Sequence, residues 1–278
     1  MKQPRAGALA DISDDDALAN AYERGLAAEK AGDVKGAAKA YREVLRLDPA
    51  DHGGVAVRLA SIGQAPDPDR APEAYVTTLF DQQAPQFDEI LVARLGYRVP
   101  EMIAEALRDA ELGPFTRALD LGCGTGLVGV ALEGRLGQLI GVDLSEEMLA
   151  ETDDRDLYDQ LFVGEAIQFL EEEDTRFDLI VAADILPYLG GLETFFAALR
   201  PCLTQGGVLA FSTETLPERA FDTRGWKVGT KTRFAHAENY LRALIASHQL
   251  EIVAFKEITV RMDEGEGIPG HLVLARAS

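Results

Sequence analysis

Two patterns of apolar residues divide the chain. In the N-terminal part, apolar positions recur at helical spacing, and the predicted helices cover residues 17–31, 34–46 and 54–62. Gly32 and Asp33 separate the first two helices, because glycine tolerates the left-handed backbone of a turn and aspartate caps the next helix. Asp48 precedes Pro49 and ends the second helix, since a residue before proline avoids helical backbone. This part of the chain is expected to be a small all-helical module.

From residue 75 onward, short apolar runs alternate with amphipathic segments. After helices at 75–84 and 100–110, the runs predict strands at 117–121, 138–142, 160–163, 177–182, 207–212, 251–260 and 271–275. Strands that alternate with helices form parallel sheets covered on both faces. The last two strands are joined only by residues 263–270, which is too short for a crossover and predicts an antiparallel hairpin. The expected fold is α/β, with a Rossmann-like, mostly parallel seven-stranded sheet and an antiparallel terminal hairpin.

A proline-rich stretch at residues 65–72 lies between the two patterns and predicts an extended, stiff linker. We therefore expect two domains, a helical module with its linker at 1–70 and an α/β domain at 71–278. Because so small a helical unit cannot bury its own apolar face, it is expected to pack on the α/β domain or a second subunit, or to dock a protein partner.

The charge of the chain is unevenly spread. The net charge is −20, yet residues 1–70 carry 10 Lys or Arg and 12 Asp or Glu, so most of the excess acid lies in the α/β domain. Such a surface repels phosphate backbones and anionic membranes, and we expect neither nucleic acid nor membrane as a partner. With two cysteines and no apolar leader or membrane-spanning run, a cytoplasmic location is expected.

The most informative motif is the segment 118–126, with sequence Ala-Leu-Asp-Leu-Gly-Cys-Gly-Thr-Gly. A strand ends in Asp120 and a glycine run, and a helix follows, which predicts a ligand at the carboxyl edge of the sheet. Residues 124–129 also match the dinucleotide pattern G-x-G-x-x-G, and Asp143 follows at the spacing that this pattern requires. Two features favour another ligand: the glycine run starts earlier, at Gly122, and Asp120 would repel a pyrophosphate.

At these residues the chain resembles the class I S-adenosylmethionine-dependent methyltransferases. The first motif of that family, Asp-x-Gly-x-Gly-x-Gly, is matched by residues 120–126, and the acid that ends its second strand is matched by Asp143. The small-acidic pair after the third strand is matched loosely by Glu165 and Ala166, since the family more often has Asp there. The resemblance covers residues 75–278 and implies S-adenosyl-L-methionine as cofactor. The residues it implies for binding are Asp120, Gly122, Cys123, Gly124, Gly126, Asp143, Leu144, Met148, Glu165, Ala166 and Ala183.

Two further resemblances concern the N-terminal half. The helical module is similar to one tetratricopeptide repeat, and the matching residues are Gly25, Ala28, Gly32, Ala37, Tyr41 and Pro49, although Ala21 replaces the usual large aromatic residue. The chain as a whole is similar to a bacterial group of predicted methyltransferases that carry such repeats. Residues 79–88 resemble the lid helix of small-molecule methyltransferases, in which Phe80 and Phe87 would cover the cofactor.

Several polar residues are candidates for contact with the acceptor. Near the predicted strand ends these are Asp184, Tyr188, Glu214, Arg233 and His236. His236 is the best-placed imidazole for a base at neutral pH, or else it hydrogen-bonds a neighbouring backbone. We name His236, Asp184 and Tyr188 as catalytic candidates and expect no metal site. The function expected is methyl transfer to an O, N or S nucleophile of a small molecule; the alternatives are a protein methyltransferase that recruits its target through the module, an NAD(P)-dependent oxidoreductase, and a silent binding protein.

Overall fold

The computed structural model describes residues 14–278. Its N-terminal part consists of helices α1 (Asp14–Lys30), α2 (Val34–Leu47) and α3 (Val55–Ser61), close to the predicted bounds. Asp33 caps α2, because its Oδ1 accepts a hydrogen bond of 2.9 Å from the Gly36 backbone N–H. The Tyr41 ring is fully buried between α1 and α2, where Gly25 leaves the space it fills. The helical nature of the module is confirmed, whereas its relation to tetratricopeptide repeats stays a prediction.

A nine-stranded sheet forms the rest of the core. Its strands are β1 (Phe115–Leu121), β2 (Leu136–Asp143), β3 (Gln160–Val163), β4 (Phe177–Ala182), β5 (Leu203–Glu214), β6 (Trp226–Val228), β7 (Phe234–His236), β8 (Leu250–Asp263) and β9 (Glu266–Ala277). The order along the sheet is β3-β2-β1-β4-β5-β7-β6, and β9 pairs with both β5 and β8. The first five strands are parallel to one another, and β8 and β9 form the predicted antiparallel hairpin.

The prediction of seven strands was wrong, because the sheet has nine and the sequence did not indicate β6 and β7. Strands β6 and β7 pair antiparallel to each other, and β7 meets the end of β5 through the pair Glu214–Ala235. Each strand has only three residues, which is too short for an alternating pattern to stand out in the sequence. This hairpin brings residues 226–236 next to the carboxyl end of β5.

Helices cover both faces of the sheet, and α10 precedes the terminal hairpin. They are α4 (Glu73–Gln83), α5 (Val99–Asp109), α6 (Leu127–Ala131), α7 (Glu146–Asp153), α8 (Ala166–Glu172), α9 (Glu193–Cys202) and α10 (Glu238–Ser247). Successive residues of β4 serve opposite cores: Ile180 packs with the α8–α9–α10 layer, whereas Leu179 and Val181 pack with the α5 layer. This double burial explains why the central strands are continuous apolar runs. Within residues 14–278, none of the helices is both long and apolar enough to cross a bilayer.

The helical module packs directly on the α/β domain. Val57 and Ala60 of α3 share a buried cluster with Trp226, Val228 and Phe234 of the β6–β7 hairpin. Val57 and Phe234 are completely buried there. Of the expected uses of the module, packing on the α/β domain is therefore the one observed, and the domain boundary at residue 70 stays a prediction.

The linker is also held by the α/β domain. The Ala71 backbone N–H donates to Tyr188 O at 2.8 Å, and the Gly190 N–H donates to Asp69 O at the same distance. The Asp67 carboxylate accepts from Arg224 Nη2 at 2.7 Å. The extended linker is thus fixed along the loop that follows β4.

The packing between α1 and α2 gives a prediction on stability. A Cβ at residue 25 would lie 2.3 Å from Tyr41 Cε1, and the buried ring has no room to move. We expect Gly25→Val to lower the free energy of unfolding by about 1–3 kcal/mol, the usual cost of overpacking. Urea unfolding followed by circular dichroism measures it. Asn20→Val, on the exposed face of the same helix, is the control and should change stability by less than about 0.5 kcal/mol; equal effects of the two variants would contradict the prediction.

Candidate functional site

The glycine-rich loop after β1 lies at the carboxyl edge of the parallel strands. Gly122, Gly124 and Gly126 all have positive φ angles, of 64°, 56° and 82°. At Gly122 a side chain is excluded twice, by this backbone and by Ile185, whose Cγ2 lies 2.0 Å from where a Cβ would be. At Gly124 the same position is open, and only Phe87 Cε1 comes within 4 Å, at 3.9 Å. The loop therefore leaves free space above Gly124.

Asp143 at the end of β2 is fixed by backbone donors. Its Oδ2 accepts from the Gly124 N–H at 2.8 Å, and its Oδ1 accepts from the Ser145 N–H at 2.9 Å. Burial raises the pKa of Asp143, while these two N–H groups act in the opposite direction. The carboxylate thus joins the glycine loop to the loop that follows β2.

A cavity of about 320 Å³ opens at this edge. Most of the residues implied for cofactor binding line it, namely Gly122, Cys123, Gly124, Asp143, Leu144, Glu165, Ala166 and Ala183. Burial raises the pKa of the Cys123 thiol, which keeps it protonated. Among the catalytic candidates, Asp184 and Tyr188 line the cavity as well. The volume lies within the range of small-molecule sites.

Three residues implied for the cofactor lie behind the cavity wall. Asp120 is completely buried, and its Oδ2 accepts from the Tyr158 hydroxyl at 2.7 Å. Its Oδ1 has no hydrogen-bond partner, and burial raises the pKa of Asp120 to about 7. Met148 is fully buried on α7, and Gly126 stands at the start of α6. These residues support the loops around the cavity and are not part of its lining.

The structure does not bring His236 to the cavity. Its ring is completely buried, is stacked on Tyr240, and lies 2.9 Å from the Gly190 carbonyl oxygen through Nε2. Because a carbonyl can only accept, Nε2 carries the hydrogen. Burial lowers the pKa of His236 to about 4, so the ring stays neutral. The geometry corresponds to the backbone hydrogen bond that the sequence left open, and gives no support to a role as the base.

Residues 79–88 lie over the glycine loop. Phe80 and Phe87 both line the cavity, with their ring centroids 5.9 Å apart. Asp81 Oδ1 accepts from Ser145 Oγ at 2.5 Å, and Asp88 Oδ1 accepts from Thr125 Oγ1 at 2.6 Å. This segment is thus attached to the same two loops that Asp143 joins.

Four charged side chains meet at the other end of the cavity, a group that we call the charge cluster (Asp184, Glu214, Arg233 and Arg261). Arg233 Nη2 donates to Asp184 Oδ2 at 2.9 Å, and Arg261 Nη1 donates to Glu214 Oε1 at 2.7 Å. Arg233 Nε lies 2.8 Å from Glu214 Oε1, but its N–H does not point at that oxygen, so this contact is an ion pair without a hydrogen bond. The side chains are 8–16% exposed.

The sequence indicated only part of this cluster. Arg261 was missed, since it follows directly on the predicted strand 251–260 and no motif marks it. The available signal was a lone arginine at the end of an apolar strand, a position where a buried charge needs a partner. Tyr188 completes the wall: its hydroxyl accepts from Arg233 Nη1 at 2.6 Å, and the guanidinium lies 4.6 Å from its ring centroid. Within residues 14–278 no group of three or more His, Cys, Asp or Glu residues is arranged for a metal ion.

Comparisons with known proteins show what the chain around this cavity is similar to. A family profile described as "Methyltransferase domain" matches residues 119–209, which run from β1 into β5. The similarity to this family is thus carried by residues 119–209. The putative methyltransferase YqeM of Bacillus subtilis (strain 168) is 32% identical over 114 residues, or 38% of this chain and 46% of that protein. A ubiquinone biosynthesis O-methyltransferase of Burkholderia vietnamiensis (strain G4 / LMG 22486) is 32% identical over 101 residues, or 35% of this chain and 44% of its own.

The chain spans less than half the length of these curated relatives. Solved structures match a larger part of it. An S-adenosylmethionine-dependent methyltransferase from Clostridium acetobutylicum ATCC 824 matches 72% of this chain and 99% of its own, with a TM-score of 0.53 and 20% identity. The [4+2]-cyclase SpnF matches 77% of this chain and 98% of its own, with a TM-score of 0.60 and 15% identity. The α/β part of the chain therefore has the Rossmann-like fold of these structures, one of which is an enzyme named for a cyclisation.

The environment of Asp120 predicts a pH effect on stability. Its pKa is raised from 3.8 to about 7 in the folded state, so folding takes up a proton between these values and stability falls as the pH rises through that window. Asp120→Asn removes this dependence on pH. The free energy of unfolding of the variant, relative to that of the wild type, should therefore rise by on the order of 1–3 kcal/mol from pH 5 to pH 8. Urea unfolding of both proteins across this range measures it. The exposed Asp174→Asn serves as control, and a difference from the wild type that does not change with pH would contradict the assignment.

Proposed function

We propose that this protein transfers the methyl group of S-adenosyl-L-methionine to a small-molecule O, N or S nucleophile. The observation that carries the proposal is the position of Asp143, whose carboxylate is fixed by Gly124 and Ser145 at the cavity wall, within the residues that match the methyltransferase family. A carboxylate can accept hydrogen bonds from both hydroxyls of a ribose. Each oxygen of Asp143 keeps a lone pair for this purpose after its backbone contact.

The other residues of the cavity fit the remaining parts of that cofactor. Leu144 offers an apolar surface beside Asp143 for an adenine ring. Ala166, on the β3 side, leaves room for the same ring. The open space above Gly124 would take the methionine part, with Phe87 on its far side. When bound, the cofactor supplies an electrophilic methyl group on a positively charged sulfur.

A nicotinamide dinucleotide fits these residues less well. The Gly124 N–H, which a pyrophosphate would need, already donates to the Asp143 carboxylate. Helix α6 has only five residues, so it offers little dipole to an anion. Four carboxylates line the cavity, those of Glu73, Asp143, Glu165 and Asp184, and they outnumber its three guanidinium groups, so the lining offers no net positive charge to a diphosphate. These contacts support the methyltransferase over the oxidoreductase alternative.

The chain's own residues can align an acceptor and exclude water. Methyl transfer is an in-line displacement, so catalysis rests mainly on the relative position of two centres. We propose that Asp184 of the charge cluster and Tyr188 beside it contact the acceptor. The Tyr188 hydroxyl accepts from Arg233, which leaves its own hydrogen free to donate into the cavity. Phe80 and Phe87 cover the other side and keep water out.

A small acceptor agrees with the cavity better than a protein does. The lining is largely apolar and residues 79–88 cover it, so a protein side chain would have to enter past this cover. The helical module supplies part of the wall through its linker, where Arg70 and Ala71 line the cavity. Its observed contacts thus serve the site itself, and nothing in them favours recruitment of a target protein.

Calorimetric titration with S-adenosylmethionine, S-adenosylhomocysteine, NAD⁺ and NADP⁺ tests the cofactor. We expect binding of the first two only, and binding of a nicotinamide cofactor alone would reject the proposal. Incubation of labelled cofactor with a metabolite extract then tests transfer. The fold alone does not establish methyl transfer, since it also occurs in a cyclase. Cofactor binding without transfer to any metabolite would therefore favour the silent binding protein.

Substitution of Asp143 tests the ribose site. Asp143→Ala removes a charged acceptor and should weaken S-adenosylhomocysteine binding by about 1.5–3 kcal/mol. Asp143→Asn keeps one acceptor oxygen and should weaken it less. Calorimetry measures both, with the exposed Asp154→Ala as a control that retains wild-type affinity. An unchanged affinity in folded Asp143→Ala would remove this residue from the binding site.

Substitution of Gly124 tests the space for the methionine part. Gly124→Val places a side chain in the open space, and we expect loss of cofactor binding with the circular dichroism spectrum retained. Gly206→Val is the control, because it places the same β-branched residue at a positive φ, of 74°, and so carries a similar backbone strain. No atom lies within 4 Å of the added Cβ at that position. The control should bind normally. Equal binding by both variants would show that the space at Gly124 is not used.

A further inference from the structure

The sheet order separates the two ends of the cavity. Asp143 belongs to β2, on one side of β1, whereas the charge cluster is carried by the loop after β4, by the turn of the β6–β7 hairpin, and by β5 and β8, on the other side. If the cofactor lies against β1 and β2, as the proposed function requires, the charge cluster is left for the acceptor. The chemistry of its free groups then indicates what the acceptor carries.

Arg261 has donors without a partner. Its Nη1 donates to Glu214 Oε1 at 2.7 Å and lies 3.7 Å from Asp184 Oδ2. Its Nε and Nη2 have no hydrogen bond to any described residue. Unlike Arg233 Nε, these two nitrogens are not fully buried. The side chain is 9% exposed and lines the cavity. A guanidinium that is nine-tenths buried thus keeps one edge accessible.

That edge has a specific geometry. Nε and Nη2 point their N–H bonds in parallel from one side of the guanidinium plane, the arrangement that binds both oxygens of a carboxylate. Arg233 lacks such an edge, because its Nη1 and Nη2 donate to Tyr188 and Asp184 and its Nε is occluded. Arg261 is therefore the arginine of the cluster that can receive a further anion.

The charge balance favours a monoanion. Two guanidinium groups face two carboxylates in the cluster, so it is neutral by itself. The sulfonium of the proposed cofactor adds one positive charge nearby, and in a site of low polarity one further negative charge is then favourable. A carboxylate supplies one charge, whereas a phosphate monoester supplies nearly two.

We propose that the Nε–Nη2 edge of Arg261 binds a carboxylate of the methyl acceptor. This inference rests on the proposed function for the identity of the neighbouring ligand, but the anion site itself is a property of the charge cluster. Arg261 anchors the acceptor through a group other than the reacting atom. The substrate class is accordingly a small carboxylic acid that also bears the O, N or S nucleophile.

Matched carboxylates and amides test the anchor. Benzoate and benzamide, phenylacetate and phenylacetamide, and hexanoate and hexanamide are titrated by ligand-observed NMR, with and without saturating S-adenosylhomocysteine. We expect at least one carboxylate to bind about 10- to 100-fold more tightly than its amide, the range for a charge-assisted pair. Arg261→Met should abolish this preference while leaving amide binding unchanged, and Arg261→Lys, which keeps the charge without the fork, should retain a small part of it.

Controls separate this inference from the proposed function. Arg242→Met removes an exposed arginine that pairs with Glu238 outside the cavity, and should keep the preference. If Arg261→Met does not fold, Arg261→Lys carries the test, because it preserves the ion pair with Glu214. Equal or absent binding of every acid and amide pair, or a preference of wild-type size in a folded Arg261 variant, would overturn the anchor. Absence of S-adenosylhomocysteine binding would instead reject the proposed function. The titrations without S-adenosylhomocysteine would still test the carboxylate site of Arg261, because they do not depend on that ligand.

Discussion

The arrangement of the site depends on how one carboxylate is held. Asp143 accepts hydrogen bonds from Gly124 on one loop and Ser145 on the next, so the two loops that border the cavity have a fixed separation. The segment 79–88 adds Asp81 on Ser145 and Asp88 on Thr125, which attaches the cover to the same pair of loops. An ionised acceptor is suited to this role, because N–H donors to a charged group form stronger bonds than those between neutral groups. These four contacts fix the two loops and the cover relative to one another.

Beyond Asp143, the site is shaped by segments outside the family motif. The hairpin of β6 and β7 carries Arg233 to the cavity, and the helical module packs Val57 against the other side of that hairpin. The linker holds the backbone of Tyr188 through Ala71. The match to the methyltransferase family ends at residue 209, so the wall that we propose for the acceptor comes largely from chain segments outside the matched residues.

The sequence predicted those features of the fold and the site that leave a local pattern along the chain. Long apolar strands, the glycine run and the acid at residue 143 are local patterns, and each reached the place expected of it. The β6–β7 hairpin could not be predicted, because three-residue strands are held by their neighbours rather than by their own periodicity. The sequence left two interpretations of His236 open for a similar reason: its position on β7 turns it toward Gly190, a contact 46 residues away in sequence. Arg261 becomes informative only when Glu214 and Asp184 are seen beside it, and such long-range pairing of charges has no local signal.

The packing of α3 against the hairpin also has a consequence for synthesis of the chain. Val57 leaves the ribosome about 170 residues before Trp226 and Phe234, its partners in the buried cluster. At roughly 5–20 residues per second, its apolar surface waits on the order of ten to thirty seconds for them. The nascent helices cannot complete their packing alone during this interval, and they expose the face that later supports the site.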